Sequence, residues 1–87
     1  MTDFEEVCDW ALKTVRLIGD YPDEVVVEAV PGDESKTLRI RANREDVGKV
    51  IGRQGRTSQA LRILVGAMGK KLKWRFVVEI NEGTQSL

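Results

Sequence analysis

Phe4, Val7, Cys8, Ala11, Leu12, Val15 and Ile18 recur at steps of three and four, the spacing that lines one face of a helix. Thr2, with Glu5 three residues later, fits a capping box at its start, and Gly19 and Pro22 stop it. Trp10 lies off this stripe, placed to be half-buried or to cover a partner. Residues 25–30, VVVEAV, are rich in β-branched side chains and predict a strand. Pro31-Gly32-Asp33 marks a turn. From 37 to 42 the pattern alternates, with Leu38, Ile40 and Ala42 on one side and Thr37, Arg39 and Arg41 on the other. That predicts a half-exposed strand with a basic open face, forming a hairpin with the strand before it.

Asn43 is placed to cap a short helix with Asp46 in its first turn, and Val47, Val50 and Ile51 follow at helical spacing. A short loop, Gly52-Arg53-Gln54-Gly55, separates it from a helix predicted over 56–68, with Ala60, Leu61, Leu64, Val65 and Met68 inward and Gly69 as its stop. Residues 74–80 predict the last strand, with Trp74, Phe76, Val78 and Ile80 on one face and Arg75, Val77 and Glu79 on the other. The segment 81–87 reads as a frayed polar tail. The order α-β-β-α-α-β is that of an α+β fold. Helices packed on one face of a three-stranded mixed sheet would bury every apolar stripe.

Length changes this picture by limiting it. With 87 residues the chain is expected to form a single domain, and there is little room for a deep small-molecule pocket. Composition removes chemistry. The single cysteine, Cys8, cannot form an internal disulfide, and its place on the inner helix face marks it as a small core residue. There is no histidine, so Ser-His-Asp and Cys-His catalysis and most zinc sites are excluded. No pair of acids is spaced for joint proton transfer. A non-catalytic protein with no metal and no cofactor is expected. The acidic N-terminus without an apolar run is no signal peptide, and no stretch approaches a membrane span. A cytoplasmic protein with no membrane association is expected.

Net charge is zero, yet the charges are segregated. Residues 1–35 hold ten acids against Lys13 and Arg16, whereas 49–75 hold eight cations and no acid. Such a division can raise a local positive field in a neutral molecule. The cations surround glycines in GKVIGRQGRTSQALR, residues 48–62. Glycine lets backbone approach another chain. A helix opening near Arg56 points free N–H groups and the positive end of its dipole at the turn. With Lys49, Arg53 and Arg56 nearby, this is a clamp for a phosphate. The spacing of a nucleotide P-loop is absent, and so is a Rossmann fingerprint. Gly-x-x-Gly between two helices suits the backbone of a single-stranded nucleic acid. Val47, Val50 and Ile51 would supply one wall of a base groove and the strand 37–42 the other. A second Gly-x-x-Gly, Gly66-Ala67-Met68-Gly69, lacks the polar pair and opens no helix, and reads as close packing with a helix stop.

The motif VGKVIGRQGRTSQALR resembles the signature of bacterial type II KH domains, and most closely the small KhpA family. Gly48, Lys49, Val50, Ile51, Gly52, Gln54, Gly55, Arg56, Thr57, Ala60, Leu61 and Arg62 stand where that family would have them. The likeness runs from the N-terminal helix through RFVVEI. It implies a KH fold, binding of single-stranded RNA with low sequence selectivity, and no catalysis. It also implies a homodimer, or a heterodimer with the larger KH protein KhpB, linked to cell-envelope and division control. An RNA-chaperone or post-transcriptional role fits this setting. By resemblance the clamp falls to Gly52, Arg53, Gln54 and Gly55, with Lys49 and Arg56 as flanking phosphate contacts and Ile51 and Val47 lining the base groove. Many KH domains carry an aliphatic residue three positions after the second glycine, where this chain has Ser58.

Overall fold

The structure, a computed structural model, describes residues 2–83. Three helices and three strands follow the expected order: α1 (Asp3–Ile18), β1 (Val26–Pro31), β2 (Ser35–Ala42), α2 (Arg44–Ile51), α3 (Arg56–Leu72) and β3 (Arg75–Glu82). The capping box forms. Thr2 Oγ1 accepts from the Glu5 N–H at 3.2 Å, and the Glu5 carboxylate accepts from the Thr2 N–H at 3.0 Å. The Thr2 N–H above all, and then the Thr2 hydroxyl, holds the Glu5 carboxyl below its usual range. Val7, Cys8, Ala11 and Val15 are buried along one face of α1, and burial pushes the Cys8 thiol pKa up, which fits a core residue and not a nucleophile.

The sheet order is β1-β2-β3. β1 pairs with β2 antiparallel, with Glu28 opposite Arg39, and β2 pairs with β3 parallel, with Arg39 opposite Glu79. β2 is therefore the central strand. Leu38, Ile40 and Ala42 lie fully buried on its helix side and pack with Val15, Val50, Leu61, Val65 and Val78. The other side carries the expected arginines, but they do not form a free basic face. Arg39 Nε donates to Glu79 at 3.1 Å, and Arg41 Nε stands 2.9 Å from the Glu28 carboxylate. Strand pairing brings acids of β1 and β3 beside cations of β2 that are distant from them in sequence.

Three expectations along α3 and β3 need correction. Gly69 does not end α3. The helix continues to Leu72 and stops at Lys73, a left-handed C-cap at φ 62° whose N–H returns to Gly69 and Lys70. Leu64 and Ala60 do not point inward; Leu64 is 48% exposed, and the buried ridge is Ser58, Leu61, Val65 and Gly69. These four recur at steps of three and four, but two of them are not apolar, so a count of hydrophobic positions misplaces the face. β3 runs to Glu82, two residues into the expected tail, and the Gly83 N–H bonds Ala42 O at 2.6 Å. Residues 84–87 of that tail lie outside the described residues.

The two glycines of the second Gly-x-x-Gly have opposite surroundings. A Cβ on Gly69 would collide with the Trp74 carbonyl and stand 3.3 Å from the Phe76 ring, whereas a Cβ on Gly66 meets nothing within 4 Å. Gly69→Ala is expected to destabilise the fold by roughly 1–3 kcal/mol, the usual cost of overpacking. Gly66→Ala is expected to stabilise it by about 0.5–1 kcal/mol through helix propensity. Urea unfolding followed by circular dichroism measures both, and equal shifts would contradict this packing.

Candidate functional site

The turn between α2 and α3 is built on left-handed backbone. Gly52 has φ 81°, Gln54 φ 56° and Gly55 φ 73°. Such angles are unfavourable for residues with a Cβ, so Gly52 and Gly55 fit their places and Gln54 carries strain between them. Gly52 has a second reason to lack a side chain: a Cβ there would strike the Thr57 side chain and stand 2.8 Å from its backbone nitrogen. The Gly52 N–H closes α2 on Gly48 O at 2.8 Å, and the Gly55 N–H closes the turn on Gly52 O at 3.0 Å. Arg53 and Gln54, at its crest, are exposed.

Gly55 is the N-cap of α3, and no side chain caps that end. Ser58, where the resemblance leads one to look for an aliphatic residue, is 5% exposed and donates its hydroxyl to Gly55 O at 3.0 Å. Its polarity is spent on holding the turn. Arg56 reaches back to the Gln54 side-chain oxygen at 3.3 Å, so the crest residues are partly preorganised by each other. Ile51 is 39% exposed beside the turn, whereas Val47 is half-buried against the core. β2 cannot form the second groove wall expected from 37–42. It is bonded on both edges and its inward side chains are covered.

Lys49, expected as a flanking phosphate contact, is engaged with acids. Its ammonium pairs with the Asp20 carboxylate and lies 3.9 Å from Asp46 Oδ1, and the Asp20 contact raises its pKa. The cations with no acid partner at the turn are Arg53 and Arg56, among the described residues.

The most consequential residue missed by sequence reading is Asp46. It is 1% exposed. Its two carboxylate oxygens accept the backbone N–H groups of Asp20 at 3.0 Å and Tyr21 at 2.9 Å, so a side chain of α2 satisfies the chain where it leaves α1. Those bonds, the Asp20 one above all, with the Lys49 charge beside them, keep its pKa below the usual carboxylate range against the opposing effect of burial. An acid three residues after an N-cap reads as an ordinary first-turn helix acid. The only hint of its role is that the break after Gly19 leaves donors in need of an acceptor.

Comparison with known proteins gives consistent relationships. The family described as "KhpA/KhpB, KH domain" matches residues 9–80. The chain is similar to the RNA-binding protein KhpA of Clostridium acetobutylicum, 48% identical over 70 residues, covering 79% of this chain and 93% of that protein. It is 44% identical to RNA-binding protein KhpA of Caldanaerobacter subterraneus, with the same coverage. It is 39% identical to that of Listeria monocytogenes, over 82% of this chain and 93% of the relative.

The geometry of Asp46 sets a pH dependence. A carboxyl whose pKa is lowered by folding stabilises the fold fully above its unfolded pKa of about 3.9. That contribution is lost as pH falls through the folded value. Asp46→Asn is expected to lower the melting temperature at pH 7, and the gap from the wild type is expected to shrink as pH drops below about 4. Thermal melts from pH 7 to about 3 test this; a pH-independent gap would show that the charge is not what Asp46 contributes.

Proposed function

The chain belongs to the KhpA/KhpB KH-domain family, and from that premise we propose that it is a non-catalytic RNA-binding protein gripping short single-stranded RNA at the 52–55 turn. The observation that carries this reading is the turn itself. Two glycines hold the turn in left-handed backbone, the N-terminus of α3 has no side-chain cap, and Arg53 and Arg56 have no acid partner among the described residues. A phosphodiester at this corner meets donors, dipole and charge together. The relatives are named RNA-binding proteins, which supports the same ligand here. Gly48 supports it further. It lies inside α2, where glycine costs about 1 kcal/mol relative to alanine, and a Cβ there meets nothing within 4 Å. Packing within the fold does not require a glycine at that position; close passage of a ligand backbone does.

In this reading Gly52, Arg53, Gln54 and Gly55 hold the strand, Arg56 adds charge, and Ile51 offers an apolar surface to a base. Val47, half-buried beside it, lines the groove less openly, and Lys49 is available only in exchange for its acids. The biological setting we propose is post-transcriptional regulation or RNA chaperoning. Arg53→Asp with Gln54→Asp is expected to abolish binding of a single-stranded RNA in low salt without altering the fold. Wild-type affinity should fall as salt rises. Gly48→Ala is expected to weaken binding while raising the melting temperature. A gel shift with paired melts checks all three, and unchanged binding in the double variant would remove the clamp.

The outer face of α3 favours a second element of function, pairing. Ile63 is 63% and Leu64 48% exposed, and they share that face with exposed Ala60 and Ala67 and with Gly66, which has open space beside it. An unpartnered apolar stripe with small residues suits close approach by another helix, and we propose a second copy of this chain there, or a larger KH-domain protein that controls the cell envelope or division. A KH unit holds only about four nucleotides, and joining two grips raises effective concentration. Ile63→Asp is expected to yield a monomer in sedimentation equilibrium with an unchanged melt and weaker binding of long RNA. A wild-type monomer across the accessible concentrations would leave the stripe to a different partner chain.

A further inference from the structure

Four of the five aromatic residues, Phe4, Trp10, Trp74 and Phe76, gather where α1 begins and α3 ends; the 52–55 turn lies at the other end of α3. α3 has 17 residues, so at ~1.5 Å per residue about 25 Å separates the two ends. A groove of about 390 Å³ runs between α1 and α3 here, lined by Trp10, Val7, Met68 and Lys71. It adjoins a second hollow of about 190 Å³ beside Phe4, Trp74 and Phe76, with Leu72 and Asp3 shared between them. Lys36 lies 4.2 Å from the Trp74 ring and 5.1 Å from the Phe4 ring. Phe4 in turn stacks on Phe76 at 5.4 Å. Trp74 is thus held in place, and it is still 39% exposed.

The cations among the lining residues are Lys71 and Lys36, and others follow close by in sequence. Lys70, Lys71, Lys73 and Arg75 are all exposed, and none has an acid partner among the described residues. Two lysines in a last helical turn are accounted for by the helix dipole; a further Lys-Trp-Arg run beside an open aromatic groove is not. Acids are present too. Asp3 and Glu6 stand on the α1 wall, and Asp33 and Glu34 occupy the hairpin turn. Charge of both signs therefore meets at the groove, Lys71 and Lys36 against Asp3 and Glu6.

We propose that this groove is a second contact for the same single-stranded RNA, with bases stacked on Trp74 and Trp10 and phosphates held at Lys71 and its exposed neighbours Lys70 and Lys73. Cations that track a backbone beside aromatic rings that take bases are the parts of a single-strand site. The acidic wall then faces base edges, where carboxylates accept from exocyclic amino groups such as that of cytosine, and not phosphates. The proposal rests on the reading of the chain as an RNA binder. It divides the work between the ends of α3: the turn supplies backbone donors without rings, and the far pole supplies rings. A strand longer than the clamp's four or so nucleotides reaches it by following α3.

The test compares a tetranucleotide with a single strand of about 16 nucleotides, both mixed-sequence RNA. In the wild type the longer strand is expected to bind more tightly. Trp74→Leu is expected to weaken its binding at least about fivefold, the loss of one base stack. The triple change Lys70→Gln, Lys71→Gln, Lys73→Gln is expected to reduce the slope of log affinity against log salt by about 2. Tetranucleotide binding should stay within about twofold in both, because it depends on the turn. If Trp74→Leu lowers the melting temperature, the lysine variant, altered only at exposed positions, carries the test. Intact tetranucleotide binding with no change for the longer strand in the lysine variant overturns this inference and leaves the clamp standing. Failure of wild type to bind either RNA removes both. A Trp10→Phe chain, with Trp74 as its only tryptophan, gives the direct readout: quenching by the longer RNA is expected. A blue shift on phosphatidylglycerol vesicles without a response to RNA would assign the groove to lipid and overturn the proposal.

Discussion

The carboxylate of Asp46 is almost wholly withdrawn from water, and it remains charged because two backbone N–H groups and a lysine take water's place. An unpaired buried carboxylate would cost several kcal/mol; a satisfied one fixes direction, because its acceptors admit donors from few angles. Here the donors belong to the chain leaving α1, and the acceptor belongs to α2. The bond pair thus sets where α2 starts relative to the first helix. Val50, one turn further on, is fully buried in the core. Between them these two residues hold both ends of an eight-residue helix too short to be stable alone. The turn at 52–55 begins where that helix stops, so its place on the surface is inherited from a contact more than a helical turn away.

The same anchor alters the electrostatics. A sequence with ten acids in its first 35 residues and eight cations in 49–75 suggests two opposed halves. Folding interleaves part of that charge. Asp20, held beside Asp46, takes Lys49, and sheet pairing sets Glu79 on Arg39 and Glu28 on Arg41. Of the cations with no acid partner among the described residues, most lie on α3 and its flanks: Arg53 and Arg56 at its start, Arg62 within it, and Lys70, Lys71, Lys73 and Arg75 at its end, with Arg16, Lys36 and Arg44 elsewhere. The unpaired positive charge is narrower in extent than the sequence implies, and most of it follows one helix. Exposed ion pairs are worth little in stability. Their effect here is on where an anion can go.

Much of this was legible in the chain. Helix α1 and its cap, the hairpin, the α+β order and the glycine turn follow from local periodicity and turn chemistry, because each is decided by neighbours within a few residues. The illegible parts are those set by distant partners. Asp46 looks like a helix-start acid until the end of α1 is placed against it. Lys49 looks like an unpaired cation until Asp20 arrives. Gly69 looks like a stop because glycine often is one; the Trp74 carbonyl lying across it explains why glycine is needed inside the helix instead. Ser58 and Gly69 complete the buried ridge of α3 as a hydroxyl and a hydrogen, so hydrophobicity alone placed Leu64 and Ala60 on the wrong side. The expected wall at 37–42 failed for a topological reason: a central strand of a covered sheet has no edge to offer.

A fold of this size has no interior to spare for a ligand. Its core residues are occupied in covering one face of three strands, and its function must be written on the outside. The means available are limited: main chain left bare by glycine, cations with no internal partner, rings not fully covered, and a helix face left apolar. On α3 these meet, with an end that no side chain caps at its N-terminus, rings and lysines at its C-terminus, and Ile63 and Leu64 along its outer side. No one of them binds tightly, since exposed charges are screened by salt and a single stacked base contributes only about 1–3 kcal/mol. In the proposed reading, strength comes from using several weak contacts at once: a strand of RNA is long enough to engage both ends of α3, while the apolar outer face is left to a partner chain.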